Sequence, residues 1–454
     1  MSLPRYPEYK DSDVVWLGEV PTHWTCTNLK WISKRYSGGT PDKARPEFWT
    51  DGTIPWLNSG AVNTPKIVEP SAYITKEAFE NSSAKWIPAG ALVMALAGQG
   101  KTKGMTAQVL FETTCNQSMA AIIPTSKIDA RYLFWWLTQN YQNVRNMAGG
   151  DLRDGLNLEL VGSIPCPLPT SDEQISIATF LDRETEKIDK LITEQEKLLT
   201  LLAEKRQATV SHAVTHGINP NAPMKNSGVT WLGEVPAHWR VLRVKYLVAC
   251  RDGIQMGPFG GMLLDLLSDE SGYKVYGQEN TISGNFLLGN RWISEERFDE
   301  LERYQLRAGD LVVTRKGSLG NARLISQLPY PGIADSDTIR IRIDENTILP
   351  ELFALLLHEC EYVANQIAAT KRGAILSGLN SENIANLVVT CPPISEQRDL
   401  LNFLVARMEY FDNCAEQCNK GIALLKERRS ALIVAAVTGK IDVRESPSSL
   451  RAAA

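Results

Sequence analysis

No segment of this chain is apolar enough to cross a bilayer. The longest aliphatic run, residues 431–437, is far short of the roughly 18 residues a spanning helix needs, and the opening MSLPRYPEYK lacks the apolar stretch of a secretion signal. These absences predict a cytoplasmic protein without a membrane partner. Cysteine is sparse, eight in 454 residues and widely scattered, which excludes a disulfide scaffold and predicts reduced thiols. Cys414 and Cys418 form the only close pair; their spacing fits one helix face, and no His or Cys companions complete a zinc site. Nor is there an excess of positive charge. A net charge of −4 excludes a protein that coats nucleic acid by bulk attraction, although residues 1–150 hold 15 Lys/Arg against 12 Asp/Glu.

Catalytic signatures are missing too. There is no glycine-rich Rossmann turn with a downstream acid, and no Asn-Pro-Pro-aromatic motif for amino methylation of a base. Residues 95–102, Ala-Leu-Ala-Gly-Gln-Gly-Lys-Thr, fit a relaxed phosphate loop, but a helix should follow and residues 105–111 read as a strand. Asp42 and Glu47 suggest a metal nuclease until Trp49 is found where a lysine is needed. Only five histidines are present, and His23 and His238 lie in repeated sequence, which points to structure. No catalytic, cofactor-binding or metal site is expected.

What the chain does have is itself, twice. KDSDVVWLGEVPTHW from Lys10 recurs as KNSGVTWLGEVPAHW from Lys225, with 11 of 15 positions identical at an offset of 215. Residues 89–93 match 308–312 at offset 219, and 155–157 match 378–380 at offset 223. So long a period means duplicated domains, with small insertions in the second copy.

Each copy ends in a proline-rich strip, Pro169-Thr170-Ser171-Asp172-Glu173-Gln174 and Pro392-Pro393-Ile394-Ser395-Glu396-Gln397. Proline bars helix before it, Ser171 or Ser395 can cap, and the acid suits a helix N-terminus, so a long helix should start at each strip. Steps of four and three then place Ile177, Leu181, Ile188, Leu191, Leu198 and Leu202 on one seam, and Leu400, Leu404, Phe411, Cys414, Cys418 and Leu425 on its counterpart. At 1.5 Å per residue, some 43 residues make a rod of about 65 Å. Such a rod cannot bury its seam alone. Its duplicate is the natural antiparallel partner, and packing on its own head is the alternative.

The heads carry short strand-like runs at residues 91–96, 120–123, 311–314 and 338–343, and one amphipathic helix each near 130–140 and 350–363. The predicted class is α+β: two pseudo-symmetric globular domains joined by two long antiparallel helices forming a coiled coil. The expected order is a first head at 1–170, a helix at 171–217, a linker at 218–224, a second head at 225–393, a helix at 394–441 and a disordered tail at 442–454. Between the matched anchors the copies diverge, and residues 37–43 find no match in 251–260. Similar ends with dissimilar middles suggest two readers of different targets on one frame. Trp49 and Trp56 are expected in the core.

The duplicated plan, the Gly38-Gly39-Thr40-Pro41 and Phe48-Trp49 segments, residues 255–260 (Gln-Met-Gly-Pro-Phe-Gly) and the two Pro-to-Gln strips resemble the specificity subunit of Type I restriction-modification systems. The resemblance covers nearly the whole chain. It implies two target-recognition domains, each reading half of a bipartite, asymmetric double-stranded DNA site, with the helices setting the spacer. It also implies two methyltransferase subunits that bring S-adenosylmethionine, and two restriction subunits that bring ATP and Mg, with no cofactor on this chain. The candidate DNA-binding residues are Ser37, Thr40, Lys43, Arg45, Asn58, Gln99, Lys101 and Lys103 in the first head. In the second they are Arg251, Gln255, Phe259, Gln278, Arg315, Lys316, Lys371 and Arg372. A scaffold that joins two proteins without touching DNA, and a phosphate-loop ATPase, are the other readings.

Overall fold

The computed structural model describes residues 4–98, 101–147, 155–249, 252–263, 266–267, 272–316, 320–370 and 378–444. The chain divides into two compact units, residues 1–195 with 420–454, and residues 196–419. Each unit therefore contains one head, the first part of the long helix that follows it, and the last part of the other long helix.

In the first unit, Ser33–Ser37, Met119–Pro124, Leu92–Ala95, Thr106–Val109 and Lys66–Ile67 form a sheet in that order. In the second, Ile254–Met256, Thr338–Ile341, Leu311–Thr314 and Ala322–Leu324 take the same order. Even the register repeats: Ala120 opposes Ser37 and Met94, while Ile339 opposes Met256 and Val313, each at offset 219. The central strands are buried on both faces, which their unbroken apolar runs require. The match extends to the strands Ser33–Ser37 and Met119–Pro124 and their counterparts, beyond the short segments that sequence comparison aligns. Burial constrains only whether a position is apolar, so identity is lost while geometry survives. One amphipathic helix spans Ala130–Gln139 as expected; the second head has two, Pro350–Glu359 and Glu361–Thr370, separated by Cys360 in extended conformation.

The proline-rich strips work through their last residue. Gln174, 2% exposed, donates from Nε2 to the carbonyls of Pro169 (3.0 Å) and Lys127 (3.2 Å) and accepts from the Asp129 N–H at 2.6 Å. Gln397, wholly buried, donates to Pro392 (2.8 Å) and Thr347 (3.0 Å) and accepts from the Leu349 N–H at 2.8 Å. One side chain thus pins the start of each long helix to the loop that opens its head's amphipathic helix. The preceding acid holds the repeated histidine: His23 Nε2 lies 2.9 Å from Glu173, and His238 Nε2 lies 2.7 Å from Glu396. The first long helix, Ser171–His216, is capped by Thr170, whose hydroxyl oxygen accepts from the Glu173 N–H at 3.4 Å, and not by Ser171. The Glu173 carboxylate accepts from both the Thr170 N–H (3.1 Å) and hydroxyl (2.9 Å), a reciprocal cap that needs the hydroxyl one residue before the helix begins. The second, Ile394–Val437, likewise starts before Ser395.

The start of each long helix meets the end of the other inside a head's core. Ile177 and Leu181 share one cluster with Ile433, Ala436 and Val437, and Leu400 and Leu404 share another with Val210, Ala213 and Val214. In each unit the helices are therefore antiparallel. An ion pair recurs with them. Arg429 binds Asp189 through Nε (2.8 Å) and Nη2 (3.2 Å), and Arg206 lies 3.4 Å from Asp412; the four residues are exact counterparts at offset 223.

The inward face of the first helix runs through Leu181, Thr185, Ile188, Ile192, Gln195, Leu199 and Leu202. Leu191 and Leu198, expected on it, are 53% and 42% exposed. Apolar pairs at 191–192 and 198–199 make two seam registers nearly equivalent in sequence, and the packing surface selects between them. In the second helix Leu400, Leu404, Phe411 and Cys418 are buried, and Cys414 and Leu425 half-buried. At the far end, Val443 is buried and the Asp442 N–H donates to the Pro4 carbonyl at 2.8 Å, so the expected tail is packed through Arg444; residues 445–454 lie outside the described residues.

Two stability predictions follow from these pairs. Arg206 also grips Glu359 at 2.6 and 3.1 Å, where the carboxylate is only 17% exposed, whereas Asp189 is half exposed. Arg206→Ala should cost about 2 kcal/mol and Arg429→Ala about 0.5 kcal/mol or less, read from urea denaturation, although the two arginines are repeat equivalents. Burial alone would raise the Glu173 carboxyl, but hydrogen bonds from His23 and Thr170 outweigh it and hold it below the ordinary value of 4.5. A depressed folded-state value stabilises fully above the unfolded one and is lost as pH falls through it. The stability gap between Glu173→Gln and the parent should be present at pH 7 and shrink steadily below 4.5; a constant gap would refute this.

Candidate nucleic-acid interface

In each head a turn follows the edge strand of the main sheet and leans on the loop leading into the neighbouring strand. Strand register makes Gly38 and Gly257 equivalent. A Cβ on Gly38 would lie 1.8 Å from the Cys115 carbonyl oxygen, and one on Gly257 would lie 1.8 Å from that of Asp335. Backbone bonds tie in further loops: Leu96 N–H to Ser118 O and Leu156 N–H to Leu96 O in the first head, Arg315 N–H to Asp337 O and Leu379 N–H to Arg315 O in the second. Four segments from distant sequence thus meet at one end of the sheet, and at Gly38 and Gly257 only glycine allows so close an approach.

Side chains on this end differ between heads. In the first, Ser37 is half-buried and the Thr40 hydroxyl donates to the Gln117 side-chain oxygen. Lys43 and Lys101 are exposed, and the Lys101 carbonyl accepts from the Tyr141 hydroxyl at 2.6 Å. Lys101 borders a cleft of about 310 Å³ with Thr106, Thr138 and Tyr141. Arg45 is engaged elsewhere, 2.7 Å from Glu47 and 3.2 Å from Glu77, with its guanidinium 3.9 Å from the Phe48 ring centre. Asn58 spends its side-chain oxygen on the Gly60 N–H at 2.8 Å. Lys103, inside the turn closed by the Met105 N–H on the Thr102 carbonyl (3.0 Å), is only 4% exposed and cannot reach a phosphate without leaving its site. Gln99 lies outside the described residues.

In the second head the structure brings Phe259, Arg315 and Lys316 together. The Arg315 guanidinium lies 5.0 Å from the Phe259 ring centre and donates to the carbonyls of Leu379 (3.1 Å) and Ser336 (3.2 Å), so it ties loops as well as lining the surface. Lys316 pairs with Asp337 at 2.7 Å. Gln255 is half-buried and turned onto the Met256 carbonyl, and Gln278 begins the helix Gln278–Ser283. Arg251, Lys371 and Arg372 lie outside the described residues.

Sequence reasoning missed the loop before each matched central strand, with Gln117 in one head and Ser336 and Asp337 in the other. The strand-like runs at 120–123 and 338–343 were visible in the sequence, but only the register at offset 219 pairs them. Trp56 is buried and donates to the Gly39 carbonyl at 2.9 Å; Trp49 stands edge-on to it at 5.1 Å.

The chemistry offered here is recognition. Burial pushes the Cys115 thiol up to about 12, so it is no thiolate nucleophile. After the strand Leu92–Ala95, the phosphate-loop-like stretch leads to a second strand, Thr106–Val109, and not to the helix a triphosphate cradle requires. Among the described residues no helix is long and apolar enough to cross a membrane.

A two-headed frame with different polar loops on equivalent ends defines a binding protein that presents two non-identical surfaces. Residues 21–200 match the model of the type I restriction modification DNA specificity domain. The chain is 30% identical to the EcoR124I/EcoR124II specificity subunit of Escherichia coli over 38% of its length and 42% of that protein. It is 21% identical to the MjaIX specificity subunit of Methanocaldococcus jannaschii over 96% of its length and 97% of that protein. Its fold resembles that of the HsdS subunit of Thermoanaerobacter tengcongensis, with a TM-score of 0.58 at 16% identity, covering 92% of this chain and 98% of that one. It also resembles a chain solved for complex assembly and conformational transition of the type I system, with a TM-score of 0.69 at 15% identity and the same coverage. The similarity to type I specificity subunits thus runs through residues 21–200 as a domain match and along nearly the whole chain at low identity.

The glycine turns yield a direct test. Gly38→Ala and Gly257→Ala should each cost about 1–3 kcal/mol by forcing the turn off the neighbouring carbonyl. Gly421→Ala, where nothing lies within 4 Å of the new Cβ, should stabilise its helix slightly. Thermal melts that rank Gly421→Ala as the most damaging of the three would overturn the assignment.

Proposed function

We propose that this chain reads a bipartite, asymmetric site in double-stranded DNA, one half with each head, and directs adenine methylation and restriction by partner subunits. Residues 1–170 and 225–393 act as the two readers, the helices at 171–217 and 394–441 set the spacer between half-sites, and residues 218–224 link the copies. The observation that carries this is the identical sheet order and register beneath dissimilar loops. A shared frame can seat two copies of one methyltransferase subunit, while different loops let each head read a different half-site.

In this reading the loop ends approach the major groove, where polar side chains meet base edges and lysines meet phosphates. Thr40, Lys43 and Lys101, with Gln117, serve the first half-site; Phe259, Arg315 and Lys316, with Asp337, serve the second. A cation already paired gains less from a phosphate, so Lys43 and Lys101 contribute more to affinity than Arg45 or Lys316. S-adenosylmethionine belongs to the methyltransferase subunits, and ATP with Mg to two restriction subunits. The assembly works in the cytoplasm and presents the site for a partner that flips adenine from the stack.

The test is a map of methylated adenines in DNA from cells expressing the chain with its methyltransferase. Exchanging residues 1–150 for those of another specificity subunit should change one half of the mapped sequence. Removing a heptad from both helices should alter only the spacer. A change in both halves after the exchange, or a spacer indifferent to helix length, would sink the proposal.

A further inference from the structure

Two exposed aromatic rings occupy the same place in the two heads. Leu29–Trp31 and Val244–Tyr246 are short 3-10 turns at offset 215. Each is anchored by its first residue: Leu29 and Val244 are wholly buried, and their N–H groups donate to Ile164 O (2.8 Å) and Leu387 O (2.9 Å), carbonyls that are counterparts at offset 223. The third residue then points outward, Trp31 66% and Tyr246 63% exposed. Beside each ring stands a lysine, with Lys30 Nζ 5.3 Å from the Trp31 ring centre and Lys245 Nζ 5.1 Å from that of Tyr246.

Packing within the chain does not explain rings of that size left in water. A single exposed aromatic is ordinary, but two at equivalent positions, each with its lysine, have survived while the loops around them diverged. A surface common to both heads serves a partner common to both, which half-sites of different sequence are not. Large aromatics and cations are the side chains that dominate binding at protein interfaces.

We infer that Trp31 and Tyr246 are equivalent anchors for two copies of one protein subunit, each ring entering an apolar slot whose acidic rim meets Lys30 or Lys245. The inference rests on the proposed function, which makes that subunit the methyltransferase. DNA is the rival occupant, and the test separates them.

The full chain is mixed with its methyltransferase subunit and the complex weighed by native mass spectrometry. The parent should carry two copies. At the concentration that just saturates it, Trp31→Ala and Tyr246→Ala should each carry one, through an affinity loss of about tenfold or more at the altered head, and the double variant none. Trp31→Phe and Tyr246→Phe should keep both copies, since the ring remains. Lys30→Glu with Lys245→Glu should weaken both heads, a readout that survives if an alanine variant misfolds. Two copies on the double alanine variant would overturn the anchors, as would intact stoichiometry with weakened DNA binding, which would assign the rings to DNA. If the parent takes up no methyltransferase subunit, the functional reading itself fails and the anchors fall with it.

Discussion

The first turns of each long helix are buried in the core of the head that precedes it, and the last turns are buried in the core of the other head. Everything else depends on this exchange. Ile177 and Leu181 lose their water against Ile433, Ala436 and Val437, and Leu400 and Leu404 against Val210, Ala213 and Val214. A helix more than forty residues long, with little apolar seam of its own, is thereby held at both ends by cores rich enough to order it. The Gln174 and Gln397 bridges fix where each helix leaves its head, and the Asp–Arg pairs add orientation more than energy.

With that frame in place, divergence has a confined outlet. The sheet strands must stay apolar and in register, so substitutions there keep their geometry even when identity is gone. The turns at Gly38 and Gly257, and the loops at 115–118 and 335–337, meet at the sheet end and are free to change their polar side chains. Ion pairing differs accordingly: the first head leaves Lys43 and Lys101 exposed, while the second joins Lys316 to Asp337 and lays Arg315 against Phe259.

The candidate site was legible in outline only. Loop position pointed to Thr40, Phe259 and Arg315, which the fold places at the sheet end, but not to the burial of Lys103 or the hold of Glu47 and Glu77 on Arg45, because these depend on residues brought close by folding. Gln117 and Asp337 were overlooked because their loops look unremarkable until the strands behind them are aligned. The helix seam was misread at Leu191 and Leu198 for a related reason: where adjacent residues are both apolar, periodicity alone cannot say which one faces the partner.

The duplication, the two long helices and the α+β heads were determined by sequence alone, since these follow from local pattern and composition. Tertiary structure decided which face of each helix is inward, which cations are already paired, and which rings are left in water. Those outcomes are set by competition among surfaces far apart in the chain, and no local pattern records the winner.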